Sequence, residues 1–473
     1  MGGKYRYLLK NVGLMTISNF ASKILSFLLV PLYTSVLTTS EYGIFDFYVT
    51  SILLLTPLLS SNILDAVIRF SLDRGNNPKD IFGIGLKYCI TADLICILLV
   101  LANAWLHIIA TLTMYPVYFI LYFTFSLFQD LMNQFARGLE KISEVAIGGI
   151  INSIVVVSLN IFFLLYLDLG IDGYFLSYII AFAITFIYLI VRLKVWHYIV
   201  WHKTNNSLKK EMLSYSRPLI FQNIGSWINN LSDRYIVMWL CGAAANGVYS
   251  VSYKIPSMLT VFQTIFNQAW TISAVKSYNE NQDDFYEKIY KLYNIGMVVL
   301  CSVLISLEKW VAKLLFAKEF YLAWEYAPFL IVSVVFSSMS SLLGGILIAA
   351  KKSNDIAITT VVGAAINTIL NISLVLLWGP VGAAIATLIS YFLVWITRVI
   401  SVNKLIKIKI SLKRDILAYI VLVLQSVMLL WIPDGITLYI SQTICLCSII
   451  GLMYRDMKLF YQSMMLKIKM SIK

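Results

Sequence analysis

A chain of 473 residues in which 60% are apolar and only 13% are charged carries more hydrocarbon than a soluble core buries. That balance excludes an ordinary globular domain and places the protein in a bilayer. The formal net charge of +13 then reads as membrane topology and attraction to anionic lipid, not as nucleic-acid binding.

Crossing a hydrocarbon layer of about 30 Å takes about 20 apolar residues in a helix. Taken in chain order, the predicted spans are 11–37, 45–64, 88–106, 115–135, 145–167 and 173–191. The longest loop, 192–214, follows, and then come 215–240, 247–272, 290–307, 326–350, 356–377, 381–400, 416–432 and 436–454. These runs are continuous and do not alternate, so they predict helices and not barrel strands. The expected fold class is an all-α polytopic membrane protein of about fourteen spans. The first apolar run follows Lys10 and is longer than the h-region of a secretion signal, so it is expected to remain as a span.

Lysine and arginine near span ends are retained on the cytoplasmic side. With both termini cytoplasmic, 31 of the 37 Lys and Arg fall on that side, including Arg69, Arg137, Arg192 and Arg398. Lys309, Lys313 and Lys318 are exceptions, in the stretch 308–319, whose helical amphipathic spacing predicts a surface helix at the outer interface. The six cysteines lie mostly within spans and lack metal-ligand spacing, and His107, His197 and His202 form no catalytic constellation. Neither a metal nor an organic cofactor is expected.

The loop after the sixth span divides two repeats. Residues 39–46 parallel 243–250 at an offset of 204, which also sets Asn19 over Asn223, and 169–173 parallel 378–382 at an offset of 209. Turn chemistry alone also favours glycine at such places. The implied plan is an N-terminal lobe (1–193), a cytoplasmic loop (194–214), a C-terminal lobe (215–402) and two further helices with a basic tail (403–473). Two six-helix lobes of this kind place a transporter's site at the repeat interface.

Three cations remain inside spans: Lys23, Arg234 and Lys254. An ionised group in hydrocarbon costs several kcal/mol, so it faces water or a partner. Lining one anion-binding cavity is one reading; an internal ion pair or snorkelling is the other. Asp46 and Asp233 are the accompanying carboxylates. Because Asp233 and Arg234 are adjacent, they point about 100° apart on a helix, and one must address something else. Asp93 and Asp130 are expected to make structural polar contacts.

The segments 27–43 and 66–70, with Ser232-Asp233-Arg234-Tyr235, residues 247–254 and Gly379-Pro-Val-Gly382, resemble bacterial polysaccharide-repeat-unit flippases. These are the O-antigen and capsule transporters of the multidrug/oligosaccharidyl-lipid/polysaccharide superfamily. The resemblance implies alternating access in a bacterial cytoplasmic membrane, moving undecaprenyl-diphosphate-linked oligosaccharide outward through a cationic cavity. It also implies H⁺ or Na⁺ coupling, contact with membrane lipid, and work beside other polysaccharide-assembly proteins. Lys23, Arg234 and Lys254 match the cavity by location; Arg69 lines its inner mouth or is an ordinary cytoplasmic flank. Two other readings stay open. A multidrug or metabolite antiporter of the same superfamily usually has twelve spans and favours cationic substrates. A membrane polysaccharide polymerase would need a large catalytic outer loop, which the spans leave no room for.

Overall fold

A computed structural model describes residues 25, 27–73, 75–199, 205–279, 283–406 and 411–472, and all regular elements among them are helices. Ten described helices are long and apolar enough to cross a bilayer, so the protein is a multi-pass, all-α membrane protein. The predicted fourth, seventh and eighth spans are helices too, over Pro116–Gly138, Asn206–Cys241 and Lys254–Asn279, but they carry more polar side chains. Most of the first span lies outside the described residues, as do Asn19 and Lys23. The chain divides into two compact units, Met1–Leu231 and Ser232–Lys473.

The first unit runs α1 (Val30–Val36), α2 (Thr39–Leu59), α3 (Ile63–Ser71), α4 (Pro78–Leu106), α5 (Ala110–Met114), α6 (Pro116–Gly138), α7 (Ile142–Ile161) and α8 (Gly170–Leu193). It ends within α9 (Asn206–Cys241), which begins inside the predicted loop. A capping box starts α2: Thr38 Oγ1 accepts from the Glu41 amide at 3.2 Å, and Glu41 Oε2 accepts from the Thr38 amide at 2.8 Å. Tyr33 stacks on Tyr42 at 4.8 Å, and Phe45 meets the edge of Tyr174 at 4.4 Å, which fills the α1–α2–α8 contact with rings.

The predicted second span is one uninterrupted run, but its helix is broken. Pro57 deprives α2 of an amide donor, and Ser61 and Asn62 then adopt left-handed φ of 54° and 52° before α3 begins. Side chains of α9 hold this break. Ser216 donates to the Ser61 carbonyl at 2.9 Å, Asn223 to Asn62 Oδ1 at 3.0 Å, and Trp227 to the Thr50 carbonyl at 2.9 Å.

The second unit contains α10 (Ala243–Ser252), α11 (Lys254–Asn279), α12 (Asp283–Leu315), α13 (Ala327–Ala349), α14 (Ser353–Trp378), α15 (Pro380–Asn403), α16 (Leu412–Trp431) and α17 (Ile436–Ile472). Helix α13 is buried along nearly its whole length and packs against α11, α12 and α15. The two C-terminal helices are fastened by a buried amide. Gln425 accepts from Ser302 at 2.8 Å and donates to Ser306 at 2.9 Å, and Gln442 donates to its carbonyl at 3.2 Å.

Each unit has a glycine of positive φ at the offset of 209: Gly170 has φ +54° at the start of α8, and Gly379 has φ +60° before α15. At Gly379 the ψ of −146° belongs to a region that only glycine adopts readily.

The stretch 308–319 is not a surface helix. Residues 308–315 complete α12, with Glu308 and Lys309 buried, and a 3₁₀ turn over Lys318–Glu325 follows. Lys309 Nζ bonds Asp434 at 2.6 Å and lies 4.2 Å from the Trp324 ring centre, so its charge turns inward to partners that amphipathic spacing cannot reveal.

A polar cavity and an aspartate cluster as candidate sites

Two polar constellations stand out, one in each unit. In the first unit the broken α2–α3 helix, α6 and α9 enclose a cavity of about 430 Å³. Helix α6 contributes Ser126, Gln129, Asp130 and Gln134; α9 contributes Asn223, Ser226 and Asn230; the break contributes Asn62 and Asp65. Tyr122, Phe182 and Trp227 supply its apolar walls. Irregular backbone is tolerated within a membrane bundle only against protein or water, and this break has both a partner helix and a polar cavity.

Asn62 is the hub of that break. Its amide nitrogen donates to Asp65 Oδ2 at 2.8 Å while its oxygen accepts from Asn223. Asp130 is exposed to the cavity and accepts a side-chain hydrogen bond from Asn133. The described lining thus holds two carboxylates and several carboxamides, and Arg137 stands behind it, donating to Gln134 at 3.4 Å. Asp65 and Asn223 also line a second space of about 350 Å³, where Arg69, Tyr215 and Gln222 are found. Arg69 is exposed there and bonds Asp73 at 2.7 Å. That hydrogen bond raises the Arg69 pKa above its usual value.

In the second unit Asp233, two turns before the end of α9, is buried and receives the Tyr249 hydroxyl at 2.8 Å, the Tyr253 hydroxyl, and the Arg234 backbone amide at 2.9 Å. The Arg234 guanidinium carbon lies 5.1 Å from the Tyr253 ring centre. One tyrosine therefore serves both neighbours, its hydroxyl on the carboxylate and its face under the cation. Lys254 opens α11 directly after Tyr253 and is half-buried. Asp46 is buried beside Tyr33 in the ring cluster of the first unit. Lys23, the remaining sequence candidate, lies outside the described residues.

Asp93 does make a structural contact, accepting from Thr124 at 2.6 Å between α4 and α6. Asp130 has such a contact in Asn133 and, in addition, lines the cavity. The sequence holds a signal for it: residues 126, 129, 130, 133 and 134 recur at helical spacing, a polar stripe along an otherwise apolar span. Arg398, which the charge rule sets at the cytoplasmic end of its span, is half-buried within α15, donating to the Ser340 carbonyl at 2.8 Å, Thr360 at 3.0 Å and Thr359 at 3.3 Å. Gly344 leaves room for it, since a Cβ there would stand 3.2 Å from the guanidinium.

The family described as "Polysaccharide biosynthesis protein" matches residues 8–272, and that described as MatE matches 218–373. An uncharacterized membrane protein of Methanocaldococcus jannaschii is 25% identical over 283 residues, 55% of this chain and 54% of its own length. A probable low-salt glycan biosynthesis flippase of Haloferax volcanii, Agl15, is 23% identical over 201 residues, 40% of this chain and 42% of its own. The chain thus spans about half the length of the curated relatives it matches. The solved structure of a lipid II flippase, MurJ, in an inward closed conformation superposes with a TM-score of 0.66 at 16% identity, covering 95% of this chain and 99% of that one, a likeness of fold.

Proposed function

We propose that this chain, which belongs to the polysaccharide biosynthesis protein family, is a flippase that carries lipid-linked oligosaccharide across a membrane. The observation that carries this reading is the polar cavity of the first unit, held open beside a broken helix in an otherwise apolar bundle. A hydrophilic headgroup needs hydrogen-bond partners to leave water, and the carboxamides and carboxylates here supply them, while a lipid tail can remain in the bilayer. The relative described as a glycan biosynthesis flippase supports the same reading.

In its fuller form, the proposal is a bacterial cytoplasmic-membrane protein with both termini inside, moving undecaprenyl-diphosphate-linked repeat units for surface polysaccharide by alternating access. Lys23, Arg234 and Lys254 would meet the diphosphate, with Arg69 at the inner entrance and Asp46 and Asp233 setting the charge balance. Transport would be coupled to H⁺ or Na⁺. No residue is assigned a catalytic role. The MatE match over residues 218–373 favours one second reading, an antiporter of small molecules.

Purified full-length protein in vesicles tests the choice. Lipid-linked oligosaccharide should become accessible to an external glycosidase at a rate that depends on the protein. Unchanged accessibility, with protein-dependent exchange of a small organic cation, would replace the flippase reading by the antiporter.

A further inference from the structure

We infer that Arg398 is a phosphate site of the second unit, filled by the head group of a membrane lipid. Helix α15 carries this arginine near its end at Asn403, about 8 Å inside it at about 1.5 Å per residue. An arginine so placed ordinarily snorkels back to water at the helix end. This one leans the other way, as the Cα–Cβ bonds of a helix tilt toward its N-terminus. Its guanidinium reaches the Ser340 carbonyl of α13 and the Thr359 and Thr360 hydroxyls of α14, about 9–14 Å inside the near ends of those helices.

These contacts fix the guanidinium without neutralising it. Thr359 and Thr360 each give their own proton to the Ile356 carbonyl, at 3.0 Å and 2.8 Å, so toward Arg398 they only accept. A carbonyl and two hydroxyls carry no net charge. Among the described residues no carboxylate pairs with Arg398, and Asp355, one turn before Thr359 on α14, is not joined to it. An ionised group within a span needs an opposite charge or water. Three of the guanidinium's N–H donors are taken, which leaves others to donate to phosphate oxygens.

The surroundings say how a phosphate arrives. Arg398 is half-buried, and Ile358 and Val361, which flank the two threonines, are exposed apolar side chains, as is Ile400. In a bilayer such side chains meet acyl chains. Lys351 and Lys352 are exposed between α13 and α14, at the end that the charge rule sets in the cytoplasm. Basic pockets between spanning helices on that side hold anionic head groups, and lysines near the surface draw such lipids in. A lipid brings its phosphate to this depth with its tail already in hydrocarbon. Two lipids offer that chemistry: a phospholipid, and the diphosphate-linked carrier of the flippase reading. The site rests on the contacts of Arg398 and not on that reading.

The test titrates full-length protein in maltoside micelles with phosphatidylglycerol, diacylglycerol and undecaprenyl diphosphate, and counts bound lipid by native mass spectrometry. Phosphatidylglycerol should be held at least about tenfold more tightly than diacylglycerol, the scale of a hydrogen bond to a charged group. Arg398→Gln should abolish that preference. Arg398→Lys keeps the charge but loses the planar fork, so it should reduce the preference several-fold, and it serves as the test if the glutamine variant does not fold. Replacing Lys351 and Lys352 together by glutamine should leave most of the preference in place. Equal retention of the two lipids, a preference that neither Arg398 variant moves, or one that the lysine pair carries alone, overturns the inference. Undecaprenyl diphosphate that displaces phosphatidylglycerol, and whose own binding falls in Arg398→Gln, supports the site with the carrier as its source. Undecaprenyl diphosphate binding that ignores Arg398, while phosphatidylglycerol binding depends on it, supports the site with the phospholipid as its source. A protein that moves no lipid-linked oligosaccharide yet holds phosphatidylglycerol through Arg398 refutes the flippase reading and keeps the phosphate site.

Discussion

Replacing Asn62 tests whether the helix break is held by its side chain. The residue accepts from Asn223 at 3.0 Å and donates to Asp65 at 2.8 Å while its backbone sits at φ 52°. A neutral hydrogen bond contributes about 0.5–1.5 kcal/mol and one to a charged group about 1.5–3. Asn62→Ala forfeits both, roughly 2–4 kcal/mol in all. It also places a Cβ residue without Asn's local bonding in the left-handed region, which costs about another 1 kcal/mol. Asn62→Gly forfeits the bonds but not the backbone preference, so it should stand about 1 kcal/mol above the alanine variant. The assay is denaturant titration of purified protein in mixed micelles, followed by tryptophan fluorescence. Asn223→Ala completes a double-mutant cycle with an expected coupling of about 0.5–1.5 kcal/mol. An alanine variant within about 0.5 kcal/mol of the parent, or one more stable than the glycine variant, would refute the reasoning.

Substitutions at two further positions probe the second unit. Tyr253→Phe keeps the ring under Arg234 and removes the hydroxyl from buried Asp233, so a loss of about 1.5–3 kcal/mol is expected in the same titration. Tyr253→Leu should lose about 0.5–2 kcal/mol more through the missing cation–π contact; equal losses would show that the ring face contributes nothing. Glu308 is fully buried, and neither of its side-chain oxygens has a hydrogen-bond partner among the described residues. Glu308→Gln should therefore leave stability unchanged or raise it by up to about 1–3 kcal/mol. A clear loss would mean that the ionised carboxylate has a favourable role in the folded protein.

The helical, membrane-spanning class was legible because helix hydrogen bonds close within a few residues and hydrocarbon thickness sets a length that apolar runs reveal. The glycine turns were legible for a related reason: Gly170 and Gly379 satisfy a local backbone demand that any tertiary setting would repeat. The adjacency of Asp233 and Arg234 set them at different angles, but did not reveal that one residue, Tyr253, would meet both, its hydroxyl on the carboxylate and its face under the cation. The polar stripe on α6 was present in the sequence but reads equally as a contact face between helices.

What the sequence by itself determined was where the chain is apolar enough to cross a membrane, where it must turn, and which family it belongs to. Only the tertiary structure decided that the second span breaks at Ser61 and Asn62, that Asp130 opens into a cavity, and that Glu308, Lys309 and Arg398 turn inward. The physical reason is that a side chain's position along a helix follows from its number, whereas what it faces depends on which helices pack around it.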